Sequence, residues 1–358
     1  MKPAWIDHAD ALTAPADRAP IGLDTEFMRR NTFHPKLALV QVAHGDACWL
    51  LDPLAYDAGI DLRGMVDRRV CVMHSASEDV EALAPLLGDT PLQLFDTQIA
   101  AAMCGMGAGL SYQKLVETML GIAIPKDETR SDWLHRPLTA SQLEYAGQDV
   151  AHLAALRARL STELEKRGRR AWHAEDCARL ARRQHPVADP QPQCGFPTAA
   201  RWPPEPQARL KRVLLWRDAT ARALDRPRPW LLDDAHALAL SQEPPASPQA
   251  LFERVKGQRA LRRPQRAELF PLLNAVATPE ELAVLAPIPA APRGAARRAT
   301  DAMRAVVKAL AVELDLPSGL LCPRRLVEQF VVTRVWPENL QGWRAALLEA
   351  KLYSLLPA

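Results

Sequence analysis

The segment Ile21-Gly22-Leu23-Asp24-Thr25-Glu26-Phe27 separates two carboxylates by a single residue. On a strand alternate side chains share a face, so Asp24 and Glu26 project together while Ile21, Leu23, Thr25 and Phe27 take the other face and can bury. Gly22 lies on the acidic face, adds no side chain and leaves room for a ligand. Adjacent carboxylates repel, and a hard divalent cation with oxygen ligands is the natural compensation. A strand end wetted by solvent gives the same pattern. A second group, His74-Ser75-Ala76-Ser77-Glu78-Asp79, falls at the end of a predicted strand, where α/β sheets place ligands. Asp79 then opens a helix whose dipole favours a carboxylate. A plain helix-start acid fits equally, and His74 reads as a loop or core histidine rather than a metal ligand. In the third group, Tyr145-Ala146-Gly147-Gln148-Asp149, the tyrosine and the last aspartate stack one helical turn apart. Gly147 inside that helix costs about 1 kcal/mol against alanine and marks a close approach by something else.

The elements that must carry these groups alternate between β and α patterns. Strands are expected at 20–28 and across 37–52, the latter folded as a hairpin at His44-Gly45-Asp46. A strand at 69–74 leads to a helix at 78–87, and a short strand at 92–96 runs into a helix ending near Gly105. Ser111 caps a helix that stops at Gly121, and Thr139 with Gln142 forms a capping box opening one long helix to about Gly168. The pattern is that of an α/β domain with a mixed sheet. Gly105-Met106-Gly107-Ala108-Gly109 follows a helix and lacks a Lys-Ser/Thr pair, so it reads as a loop and not a phosphate cradle.

The 358 residues exceed one ordinary domain, and 48% apolar with 24% charged residues excludes a disordered or fibrous chain. Apolar stretches such as 37–42 (interrupted by Gln41) and 213–216 fall far short of the ~20 residues that cross a bilayer. No apolar leader is legible, and the six cysteines stand at least 17 positions apart, which fits neither a zinc ribbon nor a disulfide framework. A cytoplasmic protein is expected. Seven prolines between 186 and 206 predict an extended, semi-rigid linker over 181–206, dividing the chain into 1–180, 207–284 and 294–358. The two back segments read as all-helical and repeat one another. Leu224-Asp225-Arg226-Pro227 matches Leu314-Asp315-Leu316-Pro317, and Leu231-Leu232 is echoed by Leu320-Leu321. Ser247-Pro248-Gln249-Ala250-Leu251 is echoed by Trp336-Pro337-Glu338-Asn339-Leu340.

Residues 1–160 carry a net −7 and the remainder +10, mostly as arginine, which suits bidentate phosphate contacts. Arg254, Lys256, Arg259, Arg262, Arg263 and Arg266 run without an intervening acid, and Arg293, Arg297, Arg298, Arg304 and Lys308 open the last segment. Such a division is expected of a chain with chemistry in front and polyanion binding behind, and an Arg- and Ala-rich composition from biased codon usage gives the same asymmetry.

Taken in order, Asp-x-Glu on a first strand, Asp at a later strand–helix junction and Tyr-x-x-x-Asp on a late helix are far more specific than any one alone. With them the sequence resembles the DEDD superfamily of 3′→5′ exonucleases in its tyrosine subtype, and within it the ribonuclease D family. Asp96-Thr97-Gln98-Ile99-Ala100-Ala101 and the stretch from Lys126 through Asp132-Trp133-Leu134-His135-Arg136-Pro137-Leu138 support the likeness. The back segments look like helicase-and-ribonuclease-D C-terminal (HRDC) domains, the second more divergent. The resemblance implies a ribonuclease H-like α/β exonuclease domain at 1–180, an HRDC domain at 207–284 and an HRDC-like one at 294–358. It implies two Mg²⁺ or Mn²⁺ ions held by Asp24, Glu26, Asp79 and Asp149, with Asp24 bridging both and Tyr145 orienting the attacking water. Phe27, His74, Lys126 and Trp133 match positions at the family's substrate end. The implied activity is a monomeric 3′→5′ exoribonuclease trimming tRNA precursors and other structured RNA 3′ ends to release 5′-mononucleotides. A DNA exonuclease of the same superfamily and a non-catalytic nucleic-acid-binding adaptor are the alternatives.

Overall fold

The computed structural model describes residues 2–9, 12, 15–124 and 131–357. Its strands are β1 (Ala4–Ile6), β2 (Ile21–Met28), β3 (Lys36–His44), β4 (Ala47–Leu51), β5 (Val70–Met73) and β6 (Gln93–Asp96). They form one mixed sheet ordered β1-β4-β3-β2-β5-β6, with β2-β3-β4 antiparallel and β5, β6 and β1 joining in parallel. The hairpin falls at Gly45 as expected, with a φ of 56° that glycine adopts freely.

Alternation along the strands decides which helix covers which face. Ile21, Leu23, Val40, Val42, Cys71 and Met73 point to one side, where they are buried against α1 (Gly59–Val66) and α2 (Asp79–Leu87). Leu39, Ala43, Leu50 and Val72 point to the other. There α3 (Thr97–Met103), α4 (Tyr112–Leu120), α5 (Ala140–Ala151) and α6 (Leu153–Lys166) close the core. Ser111 caps α4, whose C-cap Gly121 is left-handed, and the Thr139–Gln142 capping box is formed.

The long helix expected over 139–168 is broken at His152 into α5 and α6. No glycine or proline forces the break. The Tyr112 hydroxyl donates to the Gln148 carbonyl (3.0 Å) and accepts from the His152 N–H (3.2 Å), satisfying from outside two groups the continuous helix would have paired.

The helical part begins with α7 (Arg170–Ala181). The proline-rich segment is not an extended spacer. It folds into 3-10 turns at Arg182–Gln184, Pro192–Gly195 and Pro197–Arg201. The buried Gln184 donates to the Gly88 and Thr90 carbonyls, so the segment is pinned to the end of α2.

The internal repeat is a structural one. In the first copy α8 (Pro204–Ala223), α9 (Arg228–Leu231), α10 (Asp234–Gln242), α11 (Pro248–Arg254), α12 (Arg263–Asn274) and α13 (Pro279–Ala283) follow one another. In the second, α14 (Gly294–Glu313), α15 (Ser318–Leu321) and α16 (Arg324–Thr333) repeat the first three helices. A single 3-10 turn, Glu338–Leu340, then replaces α11, and α17 (Trp343–Tyr353) closes the copy. The first copy has its own core around Leu210, Leu214, Leu231, Leu251 and Leu273, and Phe33 from the β2–β3 loop of the exonuclease domain is buried in it. The second copy has no separate core. Met303, Leu321, Phe330, Trp343 and Leu348 are continuous with the residues beneath α4, α5 and α6. Trp343 stacks on Trp172 of α7 at 4.7 Å, and Arg344 makes a buried two-pronged bond to Asp176 (2.6 and 2.8 Å).

Candidate active site

Strand β2 lies at the middle of the sheet and presents Gly22, Asp24 and Glu26 toward α5. Gly22 leaves no room for a ligand. A Cβ there would stand 3.1 Å from the Val150 carbonyl and 3.3 Å from Leu153, so the glycine lets the α5–α6 junction settle onto the strand. That contact brings Asp149, the residue before Val150, over Asp24 and Glu26. Gly147 answers its own question similarly, since its Cβ position faces Pro3 at 3.4 Å.

Asp79 arrives from the opposite side of the sheet. It is the first residue of α2 and is buried, and the Thr25 hydroxyl donates to its carboxylate. Thr25 thus occupies the buried face as expected, but serves as a polar anchor. The turn before Asp79 is held by Asp96, whose carboxylate caps α3 and accepts the Ala76 N–H (2.9 Å). Ser75, at φ 59°, makes the tight turn this requires.

Asp24, Glu26, Asp79 and Asp149 are therefore brought together, and their ionisation shows it. Burial and the other three carboxylates push Asp24 well above the usual carboxylate range. Burial and then Asp149 and Asp79 raise Glu26 to about 9. Asp149 is raised to about 7 by burial and Asp79 to about 6, each partly relieved by its hydroxyl donor, Tyr145 and Thr25 respectively. Tyr145 itself is pushed above the ordinary tyrosine range by burial and then by Asp149, so it keeps its proton. Among the described residues no three carboxylate, imidazole or thiolate groups form a ready-made coordination shell. What suits hard cations is the donor set: four oxygen-bearing groups that cannot all carry charge without a positive counterpart.

The remaining expected residues separate. Trp133 is only 4% exposed and lies against the Tyr145 ring at 6.1 Å, so it backs the tyrosine from within the core. His74 is spent on scaffolding: Nε2 donates to the Leu110 carbonyl (3.0 Å) and Nδ1 stands 2.9 Å from the Thr97 hydroxyl. Burial lowers its pKa, favouring the neutral ring. Phe27 is half-buried beyond an irregularity in the β2–β3 register that falls between Glu26 and Phe27. Lys126 lies outside the described residues. The glycine-rich 105–109 stretch is a loop, with Gly105 at φ 81°.

Two further polar residues support the site's framework, and neither was assigned a role from the sequence. Gln41 pairs with Asp24 across β3, is fully buried, and neither atom of its amide has a partner. Only its parity with Asp24 on the neighbouring strand could have pointed to it. Arg136 forks onto Asp52 (2.7 and 2.8 Å) and donates to the Ala38 carbonyl (2.6 Å), tying the segment that bears Trp133 to β3 and β4.

Residues 5–165, the sheet with its covering helices, match the 3′→5′ exonuclease family. The chain is 43% identical to ribonuclease D of Xanthomonas oryzae over 99% of each chain. It is 30% identical to that of Escherichia coli K12, covering 98% of this chain and 96% of the other. The chain belongs to the ribonuclease D family. The crystal structure of E. coli RNase D, described as an exoribonuclease involved in structured RNA processing, superimposes with a TM-score of 0.83 at 28% identity over 99% of both chains. The likeness thus extends through both helical repeats as well as the exonuclease domain. As a ribonuclease D the protein is a 3′→5′ exoribonuclease. No described helix is long and apolar enough to cross a membrane.

Proposed function

We propose that this ribonuclease D trims the 3′ ends of structured RNAs, tRNA precursors above all, releasing 5′-mononucleotides by metal-dependent hydrolysis in the cytoplasm as a monomer. The observation that carries the proposal is that Asp24, Glu26, Asp79 and Asp149 are buried close enough to raise one another's ionisation, with Tyr145 one helical turn before Asp149. Two divalent ions, when bound, lower the pKa of the attacking water and take up charge on the leaving oxygen. Asp24 would serve both ions, Glu26 and Asp149 would complete the site on the water's side, and Asp79 would support the second ion.

Tyr145 remains protonated and is a poor base. Its hydroxyl would orient the water, with Trp133 packed behind the ring. Asp79 keeps its position through the Thr25 hydroxyl. The helical repeats would take the rest of the RNA: Arg262 and Arg263 are exposed at the start of α12, as are Arg297 and Arg298 on α14. Contacts of this kind give affinity without reading sequence. The test is incubation of the purified protein with 3′-extended tRNA, with and without Mg²⁺ or Mn²⁺, and identification of the products. Shortening from the 3′ end to mononucleotides is expected only with the ion. A matched DNA oligonucleotide digested at the same rate would remove RNA selectivity from the proposal.

A further inference from the structure

A cleft of about 840 Å³ opens where the exonuclease domain meets the first helical repeat. One wall is built from Arg29 and Arg30 at the end of β2 and from Ser77 and Glu78 at the start of α2, the two elements that carry Asp24, Glu26 and Asp79. The other wall comes from α8 and α9 and contributes Arg228 and Trp230. Six arginines line the cleft, and four of them are already paired: Arg29 with Glu81, Arg217 with Asp234, and Arg222 and Arg228 with Asp218. Arg30 and Arg183 have no ion pair among the described residues, and Arg183 reaches only the Ser77 carbonyl (3.2 Å). Arg217, 8% exposed, leaves its Nε without a partner, as does the Thr32 hydroxyl in the same lining. Trp230 is partly buried against the core of the first repeat, keeps some exposure to the cleft and carries the Arg259 guanidinium over its ring at 5.2 Å.

We propose that this cleft is the path of single-stranded RNA leading to the carboxylates, with Arg30 and Arg183 on the phosphates and Trp230 offering a stacking face to a base. The chemistry is that of single-strand binding: free guanidinium groups tracking a backbone beside an aromatic platform. Because the cleft continues the ends of β2 and α2, it would hold nucleotides upstream of the one being removed. The inference rests on the reading of the site as an RNA 3′-end hydrolase.

The experiment compares kcat/KM of the full chain on a diribonucleotide and on an oligoribonucleotide with a long unpaired 3′ tail. In R30A/R183A the long-to-short ratio should fall about tenfold, and the slope of log K against log salt for the long RNA should flatten by about 1.4, or 0.7 for each phosphate released. The charge-matched surface variant K114A/K166A should keep the parent's ratio and slope. Trp230→Phe should retain most of the ratio and Trp230→Leu lose it, which separates stacking from mere packing. An unchanged ratio and slope in R30A/R183A, with a melting transition like the parent's, would overturn the path. Failure of the parent itself to cleave the diribonucleotide would instead count against the hydrolase reading.

Discussion

Asp225 and Asp315, ninety positions apart in the two repeats, both sit at φ 48° just after a long helix, and each carboxylate is bonded to the exonuclease domain. Asp225 accepts the backbone N–H groups of Phe33 (2.9 Å) and His34 (3.0 Å). Asp315 accepts from Arg167 (2.9 Å) and lies over Gly105, where a Cβ would meet it at 2.1 Å. One surface of the duplicated module is thus used twice, on different faces of the same partner. The Phe33 side is reinforced by Arg222 and Arg228, whose guanidinium groups stand 4.7 and 4.6 Å from the ring and share Asp218.

Asp225→Ala should therefore loosen the first repeat. Losing the acceptor for two N–H groups costs about 1–3 kcal/mol, and alanine tolerates the left-handed backbone less well. Hydrogen exchange at Phe33 and His34 should speed up while β3 and β4 stay protected. Unaltered exchange at those two amides would mean that the carboxylate does not hold the loop.

Asp24→Asn and Asp149→Asn should each lower hydrolysis by roughly two to three orders of magnitude or more, with RNA affinity largely retained. Asp24→Asn should also raise the melting temperature of the metal-free protein at high pH, because the amide cannot ionise where burial and neighbouring carboxylates oppose a charge. Brisk turnover by either variant in saturating Mn²⁺ would exclude these carboxylates as ligands.

Tyr145→Phe should slow single-turnover cleavage about a hundredfold and leave metal affinity unchanged, since only the hydroxyl is lost. Trp133→Phe, which keeps a smaller ring behind Tyr145, should show a milder decrease of the same kind. Calorimetric titration with Mn²⁺ beside rapid-quench kinetics separates the two effects. A weaker metal affinity in Tyr145→Phe would make the tyrosine a ligand-holding group instead.

The raised carboxylates also fix a pH dependence. Glu26 near 9, Asp149 near 7 and Asp79 near 6 bind protons in the folded chain that they would release when unfolded. Their contribution to stability is complete below the ordinary carboxylate pKa of about 4 and is lost as pH rises through 6, 7 and 9. The metal-free protein should melt at progressively lower temperature over that interval, and the stabilisation by Mn²⁺ should grow across it. Thermal melts with chelator and with Mn²⁺ from pH 5 to 9 measure both, and a Mn²⁺ effect independent of pH would contradict the coupling.

Much of this was readable in advance because it is local. The parity of Asp24 and Glu26 on a strand, the cap at Thr139 and the i, i+4 pair of Tyr145 and Asp149 depend on neighbours in the chain. What was not readable depends on distant partners. The break at His152 is imposed by a tyrosine forty positions earlier, and the emptiness at Gly22 is filled by Val150 and Leu153. The burial of Trp133 behind the Tyr145 ring likewise depends on a partner twelve positions away. Across 182–201 the chain folds into 3-10 turns, the first held to α2 by Gln184 and the later ones, each opened by a proline, packed by the first repeat rather than extending.

The core that runs beneath α5 and on through Trp343 to Leu352 also bears on biosynthesis. A ribosome-bound chain that lacks α17 has Trp172 uncovered and Asp176 without its main cation, so the nuclease half is born with an open seam.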